Sequence, residues 1–200
     1  MKLTIIIPVY NVDKYIERCL NSIELREDIE IIIIDDCSTD LSVVMIREWI
    51  NKTTFANITF LQNEVNQGEG ITLNRGLDIA SGEYIVIIDS DDDFLLPLSI
   101  MDKYLDGTDL VYYNLIKNTG ERLRLTEETK KIHCGATRFY RREFIGETRR
   151  NNKRRYGDAD FYYELLAKKP TENFTDIDLY HYNNPRKDSL TDKALKEGIR

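Results

Sequence analysis

Over the first ninety residues the apolar positions follow two alternating rhythms. Near-continuous runs rich in Ile, Val and Leu occupy Leu3–Pro8, Ile29–Ile34, Ile58–Leu61 and Glu83–Ile88. Each is strand-length, and such runs suit strands buried on both faces, as in a parallel sheet. Between them the spacing changes to the helical period. Val12, Tyr15, Ile16, Cys19, Leu20 and Ile23 form one stripe within Val12–Glu24, with Asn11 or Asp13 available as caps. Leu41–Ile50, with Trp49 as a core anchor, and Ile71–Ala80, stopped by Ser81-Gly82, form two more. Strand and helix in alternation predict βαβ units whose right-handed crossovers gather the strand tips along one edge.

Beyond that region the alternation lapses. Pro97–Leu105 reads as a short helix, and Asp109–Lys117 with Arg122–Leu125 reads as a hairpin turning at Asn118-Thr-Gly120-Glu. Thr137–Tyr140 and Asp176–Tyr182 read as further strands, and Phe161–Ala167 as a buried helix that Asp158 or Asp160 can cap. No linker or repeat interrupts the chain. The expectation is one domain in two halves, 1–105 and 106–200, with an α/β fold and a hairpin or smaller sheet in the second half.

The strand tips carry the candidate chemistry. The fourth run ends in Asp89-Ser90-Asp91-Asp92-Asp93, the second in Asp35-Asp36, and the first in Pro8-Val9-Tyr10. Ligands of open α/β sheets collect outside the carboxyl ends of the strands. Clustered carboxylates repel one another unless a cation neutralises them, and hard ions such as Mg2+ or Mn2+ suit carboxylate oxygens together with substrate phosphates. Asn63-Glu-Val-Asn66-Gln-Gly68 adds a polar, glycine-bearing loop of the kind that runs close to a ligand.

Composition narrows the options. The chain has 200 residues, 42% hydrophobic and 32% charged, and its net charge of −7 argues against a nucleic-acid platform. No run is long enough to span a membrane and no signal segment is evident, so a cytoplasmic protein is expected. Cys19, Cys37 and Cys134 lack metal-ligand spacing and read as reduced thiols. One segment runs against the acidic balance. Arg138–Arg155 holds eight Lys or Arg against Glu143 and Glu147, a local +6. It suggests an anionic acceptor, or peripheral contact with the inner face of a membrane.

Taken in order, these motifs resemble a family 2 glycosyltransferase of GT-A fold. The resemblance rests on Ile6-Ile-Pro8-Val-Tyr10-Asn11, Asp35-Asp36-Cys-Ser-Thr-Asp40, Asn63 with Asn66-Gln-Gly68, Asn74-Arg-Gly76, Ala80-Ser-Gly-Glu-Tyr84 and Asp89-Ser90-Asp91-Asp92, over about the first 95 residues. It implies a Rossmann-like, mainly parallel sheet flanked by helices and a nucleotide-sugar donor, usually a UDP-sugar. Pro8, Val9, Tyr10 and one of Asp35 or Asp36 would then surround base and ribose, with Asn66, Gly68, Asn74, Asp89 and Ser90 also toward the donor. Asp89, Asp91 and Asp92 would supply the D-x-D that holds Mn2+ or Mg2+. Family members carry a catalytic base in a Glu-Asp pair before a helix. Alignment on Phe161 puts Asp158 there, with Gly157 in place of Glu and Asp160 as the alternative. In the tail, His181 is implied as a metal ligand and Arg186, near Ser189, as a diphosphate contact. The acceptor would be a glycan, lipid-linked or other anionic molecule.

Two departures matter. The family often has Ala-Arg-Asn-x-Gly where this chain has Thr72-Leu73-Asn74-Arg75-Gly76, so the arginine near the donor is missing, and Arg75 lies about 200° away round a helix. The incomplete Glu-Asp pair leaves a second reading, a catalytically inactive module that binds a glycan or an anionic partner. A haloacid dehalogenase-type phosphatase, a receiver domain and a nucleotidyltransferase each lack a required motif here. His133 and the tyrosines after residue 100 read mainly as packing.

Overall fold

The computed structural model describes residues 2–131, 136–151 and 157–184. The isoleucine-rich runs form its centre. Ile5, Ile6, Ile7 and Ile31 to Ile34 have no solvent exposure, because strands β1 (Leu3–Val9) and β2 (Ile29–Asp35) are covered on both faces. Helices α1 (Ile16–Asn21), α2 (Ser42–Lys52) and α3 (Glu69–Ile79) alternate with β3 (Ile58–Gln62) and β4 (Tyr84–Ile87). All four strands are parallel, in the order β3-β2-β1-β4.

The second half extends the same sheet. After β5 (Asp93–Phe94) comes a 3-10 helix, Leu98–Tyr104, where sequence periodicity predicted a short helix. Strands β6 (Leu110–Lys117) and β7 (Arg122–Leu123) form the expected hairpin, with Gly120 at φ +79° in its turn. Then follow β8 (Arg138–Arg141), α4 (Arg142–Ile145), α5 (Gly157–Ala167) and β9 (Glu172–Tyr182). The sheet continues past β4 as β8-β6-β9-β5, with β8 antiparallel to β4 and β6.

Several elements differ from the sequence expectation: β5 and α4 have no counterpart in it, and α5 begins at Gly157 rather than Phe161, so Asp158 and Asp160 lie inside its first turn and do not cap it. α1 begins at Ile16 rather than Val12, and neither Asn11 nor Asp13 caps it. The N–H groups of Val12 and Asp13 donate instead to Ser42 Oγ and Asp40 Oδ2, both at 2.9 Å, so the neighbouring loop captures the would-be first turn. β9 starts at Glu172 rather than Asp176, because pairing with β6 overrides the polar pattern. Thr175 there donates its hydroxyl to Tyr112 O at 2.7 Å, where the register between β6 and β9 shifts. Trp49 packs against the core and donates Nε1–H to Asn21 Oδ1 at 3.0 Å, as an anchor should.

Candidate active site

The tips of β1, β2 and β4 lie side by side, and two of them are laced together. Asn11, at φ 52°, donates its N–H to Ser38 Oγ (2.9 Å) and accepts the Thr39 N–H on Oδ1 (2.8 Å). Pro8 is half-buried and Val9 buried, while the Tyr10 ring stands 49% exposed at the rim. A rigid two-loop unit thus presents one open aromatic face.

Asp35 and Asp36 are both buried. Asp35 accepts the Ser38 N–H, closest at 3.1 Å to Oδ2. Asp36 is more heavily used: Asn63 Nδ2 (2.7 Å) and Gln67 N–H (2.8 Å) donate to Oδ1, and Gly68 N–H donates to Oδ2 at 2.8 Å. Asp36 therefore braces the loop that carries exposed Asn66, while Asp35 keeps acceptor capacity. Gly68, at φ +88°, turns that loop into α3.

The β4 tip concentrates negative charge. Asp89 is held well above the ordinary carboxylate range, first by burial, then by the charges of Asp92, Glu69 and Asp91, against which Arg150 acts. Asp92, with 1% exposure, is pushed up to about 7 by burial and by Asp91. The Asn183 N–H donates to its Oδ1 at 2.8 Å, while Oδ2 has no hydrogen-bond partner among the described residues. The Asp91 carbonyl accepts Arg18 Nη2–H (2.8 Å) and Asn183 Nδ2–H (3.1 Å), which fixes the turn, and Ser90 is buried within it. Burial likewise raises the Cys19 thiol beneath this tip, as befits an inert structural thiol.

The fourth wall comes from the second half of the chain. Segment 149–151 runs along α3, Arg149 meeting Asp78, Arg150 meeting Asn74 and Asn151 reaching its N-terminal end, where a Cβ at Gly70 would sit 2.5 Å from Asn151 O. Asn151 Nδ2 donates to Asp160 Oδ2 at 2.6 Å and so clamps the first turn of α5 to the same segment. Asp158 occupies that first turn, half-buried, with no side-chain hydrogen bond among the described residues.

Several implied roles change on this geometry. His181 is occupied on both ring nitrogens, Nδ1 with Asp93 (2.8 Å) and Nε2 with Asn118 Oδ1 (2.9 Å), so it braces β9 to β5 and is not presented as a metal ligand. Asn74 is equally committed: its Oδ1 accepts the Arg150 N–H and its Nδ2 donates to Arg150 O, both at 2.8 Å. It holds the far wall rather than facing a donor. Asp160 is a clamp, which leaves Asp158 as the uncommitted carboxylate.

The basic segment is not a bare cationic patch. Arg138 is fully buried among the rings of Tyr112, Tyr140 and Tyr162. Arg141 pairs with Glu143, Arg149 with Asp78 and Arg150 with Glu69, and Arg142 donates to Gly82 O. Charge counting could not identify these commitments, because all but the Arg141–Glu143 pair are made with partners far along the chain. Lys153, Arg154, Arg155, Arg186, Ser189, His133 and Cys134 lie outside the described residues.

Among the described residues, no three His, Cys, Asp or Glu side chains gather closely enough to hold a metal ion by themselves. The raised carboxylates and the orphaned Asp92 Oδ2 nevertheless fit a cation shared with a phosphate ligand, which needs only one or two protein carboxylates. No helix among the described residues is long and apolar enough to cross a membrane.

Known proteins share this fold. The sequence model of the family described as Glycosyl transferase family 2 matches residues 4–164. A poly(ribitol-phosphate) beta-glucosyltransferase of Bacillus spizizenii is 41% identical over 97 residues, 46% of this chain and 15% of that protein. TarS of Staphylococcus aureus, crystallised with UDP-GlcNAc, superposes with a TM-score of 0.82 at 22% identity over 96% of this chain and 61% of that one. A mannosyltransferase from Pyrobaculum calidifontis, in complex with GDP-Man and Mn2+, gives 0.77 at 20% identity over 94% of this chain and 58% of that one. The structural likeness shows the GT-A fold. This chain spans only a small part of its curated Bacillus relative.

Proposed function

As this chain belongs to glycosyl transferase family 2, we propose that it transfers a sugar from a nucleoside-diphosphate donor to an acceptor hydroxyl, with inversion at the anomeric carbon. One observation supports the reading: Asp36 at the β2 tip braces the loop that enters α3, and Asn151, packed on Gly70 of α3, holds the first turn of α5, which carries the uncommitted Asp158. The donor is a UDP-sugar, in keeping with the UDP-GlcNAc complex of TarS. Residues 1–105 supply most of the donor site and 106–200 the acceptor site.

Base and ribose lie against Pro8, Val9 and the exposed Tyr10 ring, with Asp35 accepting from the nucleoside and Asn66 and Gly68 alongside. Asp36 keeps that loop in place. Asp89, Asp91 and Asp92, whose Oδ2 is free among the described residues, would hold Mn2+ or Mg2+ together with the diphosphate, Ser90 shapes their turn, and Arg186 meets the same phosphates. The metal, when bound, supplies a Lewis acid to the departing diphosphate. Asp158 accepts the proton of the acceptor hydroxyl as that oxygen attacks opposite the leaving group. The acceptor is a glycan or another anionic molecule.

A thermal-shift panel tests this reading. UDP and UDP-sugars with Mn2+ should raise the melting temperature, since a ligand of the native state stabilises it. Absence of any shift with UDP, GDP or their sugars, with or without Mn2+, would overturn it.

A further inference from the structure

We propose that Arg150 grips the donor diphosphate in this chain, exchanging its partner Glu69 for phosphate oxygens. The proposal rests on the glycosyltransferase reading above. It answers the departure in α3, where the expected arginine is replaced by Leu73. Leu73 has no solvent exposure and belongs to the hydrophobic core. Arg75 points elsewhere, donating Nη1–H to Gln62 O at 3.3 Å and to Asn63 Oδ1, so it braces the β3–α3 loop. Neither position supplies a cation to the crevice.

Arg150 supplies one from the opposite wall. Its backbone is gripped on both sides by the Asn74 amide, which stands next to Leu73 on α3. Its side chain is 5% exposed, with the guanidinium carbon 5.8 Å from the centre of the Phe161 ring on α5. Nη1 donates to Glu69 Oε1 at 2.7 Å. Nε is buried without a hydrogen-bond partner among the described residues, a costly state for a guanidinium donor.

Glu69 is what makes an exchange feasible. Its side chain is 55% exposed and sits in the first turn of α3. A negative group there is favoured by the helix terminus, and the same terminus favours a phosphate. Glu69 can turn out to water when a phosphate arrives, whereas Arg150 cannot follow it because Asn74 and Phe161 hold it. The guanidinium fork then offers the phosphate two parallel donors, Nε included, that one carboxylate does not satisfy here.

Calorimetric titration of UDP and of uridine, in the presence of Mn2+, into the wild-type chain, Arg150→Met, Arg150→Lys and Glu69→Gln tests the proposal. Arg150→Met should weaken UDP by about ten- to a hundredfold and leave uridine unchanged. Arg150→Lys should fall between, since an ammonium lacks the fork. Glu69→Gln should bind UDP severalfold more tightly, because the competing carboxylate is gone. That gain is the decisive readout, as a merely structural ion pair would give none. Wild-type affinity in Arg150→Met, or unchanged or weaker affinity in Glu69→Gln, would overturn the proposal. Should Arg150→Met fail to fold, the exposed Glu69 variant decides alone. A wild-type chain that binds no UDP at all would overturn the transferase reading itself, a separate result.

Discussion

Single carboxylates in this crevice differ in what they are free to do, and hydrogen-bond commitment separates them better than sequence motif. Asp36 and Asp160 are anchors, whereas Asp158 has no bond to lose among the described residues. Asp158→Asn should therefore leave calorimetric UDP affinity within about twofold of wild type, while transfer falls by about 10² to 10⁴. Asp91→Asn should instead lose Mn2+-dependent UDP binding, and transfer with it. Equal loss of binding in both variants would refute the division of labour. The motif positions were legible because acids at a buried strand tip are conspicuous. Their commitments were not, since Asn74 and Arg150, or Asp93 and His181, meet only across the fold. A glutamate opening α3 and an arginine in a basic run gave no sign of being partners.

At the scale of elements, periodicity placed β1 to β4 and α2 and α3, but missed ends that tertiary partners decide. The end of α5, by contrast, falls at Ala167 as periodicity placed it, and its stop is Lys169. It follows α5 at φ 57° and donates its N–H to Leu166 O at 3.0 Å, a left-handed helix stop built on a residue with a Cβ. Lys169→Gly should stabilise the chain by about 0.5–1 kcal/mol, a rise of about 2 °C in thermal unfolding. A lower melting temperature would contradict this. The start of β2 offers a pH test. Arg26 donates Nη2–H to Asp28 at 2.8 Å and also pairs with Asp102 beside it, on the 3-10 helix. The Arg26 hydrogen bond, first of all, lowers the Asp28 pKa below its ordinary 3.8. A depressed folded-state value stabilises above the unfolded pKa and is lost as pH falls through the folded one. For this exposed pair the amount is about 0.5 kcal/mol. The wild-type chain should melt slightly above Asp28→Asn at pH 6, and the two curves should meet below about pH 3.

For the whole molecule, two glycines at opposite ends of the sheet show where a close approach serves the fold and where it serves the site. A Cβ at Gly82 would lie 2.5 Å from Thr4 N and 2.7 Å from Leu3 C, at the end of β1 and β4 remote from the aspartates. A Cβ at Gly70 would lie 2.5 Å from Asn151 O, where the second half of the chain closes the crevice. Both are backbone collisions that cannot be relieved by a side-chain rotation, so each alanine variant should lose about 1–3 kcal/mol. The functional consequences diverge. In Gly82→Ala the strain falls between β1 and the start of β4, and folded protein should bind UDP with wild-type affinity. In Gly70→Ala segment 150–151 must move off α3, carrying Arg150 from Asn74 and loosening the Asn151 clamp on α5. UDP affinity and turnover per folded molecule should then both fall, by about tenfold or more. Titrations corrected for the folded fraction by circular dichroism distinguish the two. If Gly70→Ala kept both parameters, the contact between the halves would be structural only, and the crevice would not depend on the far wall in the way its geometry requires.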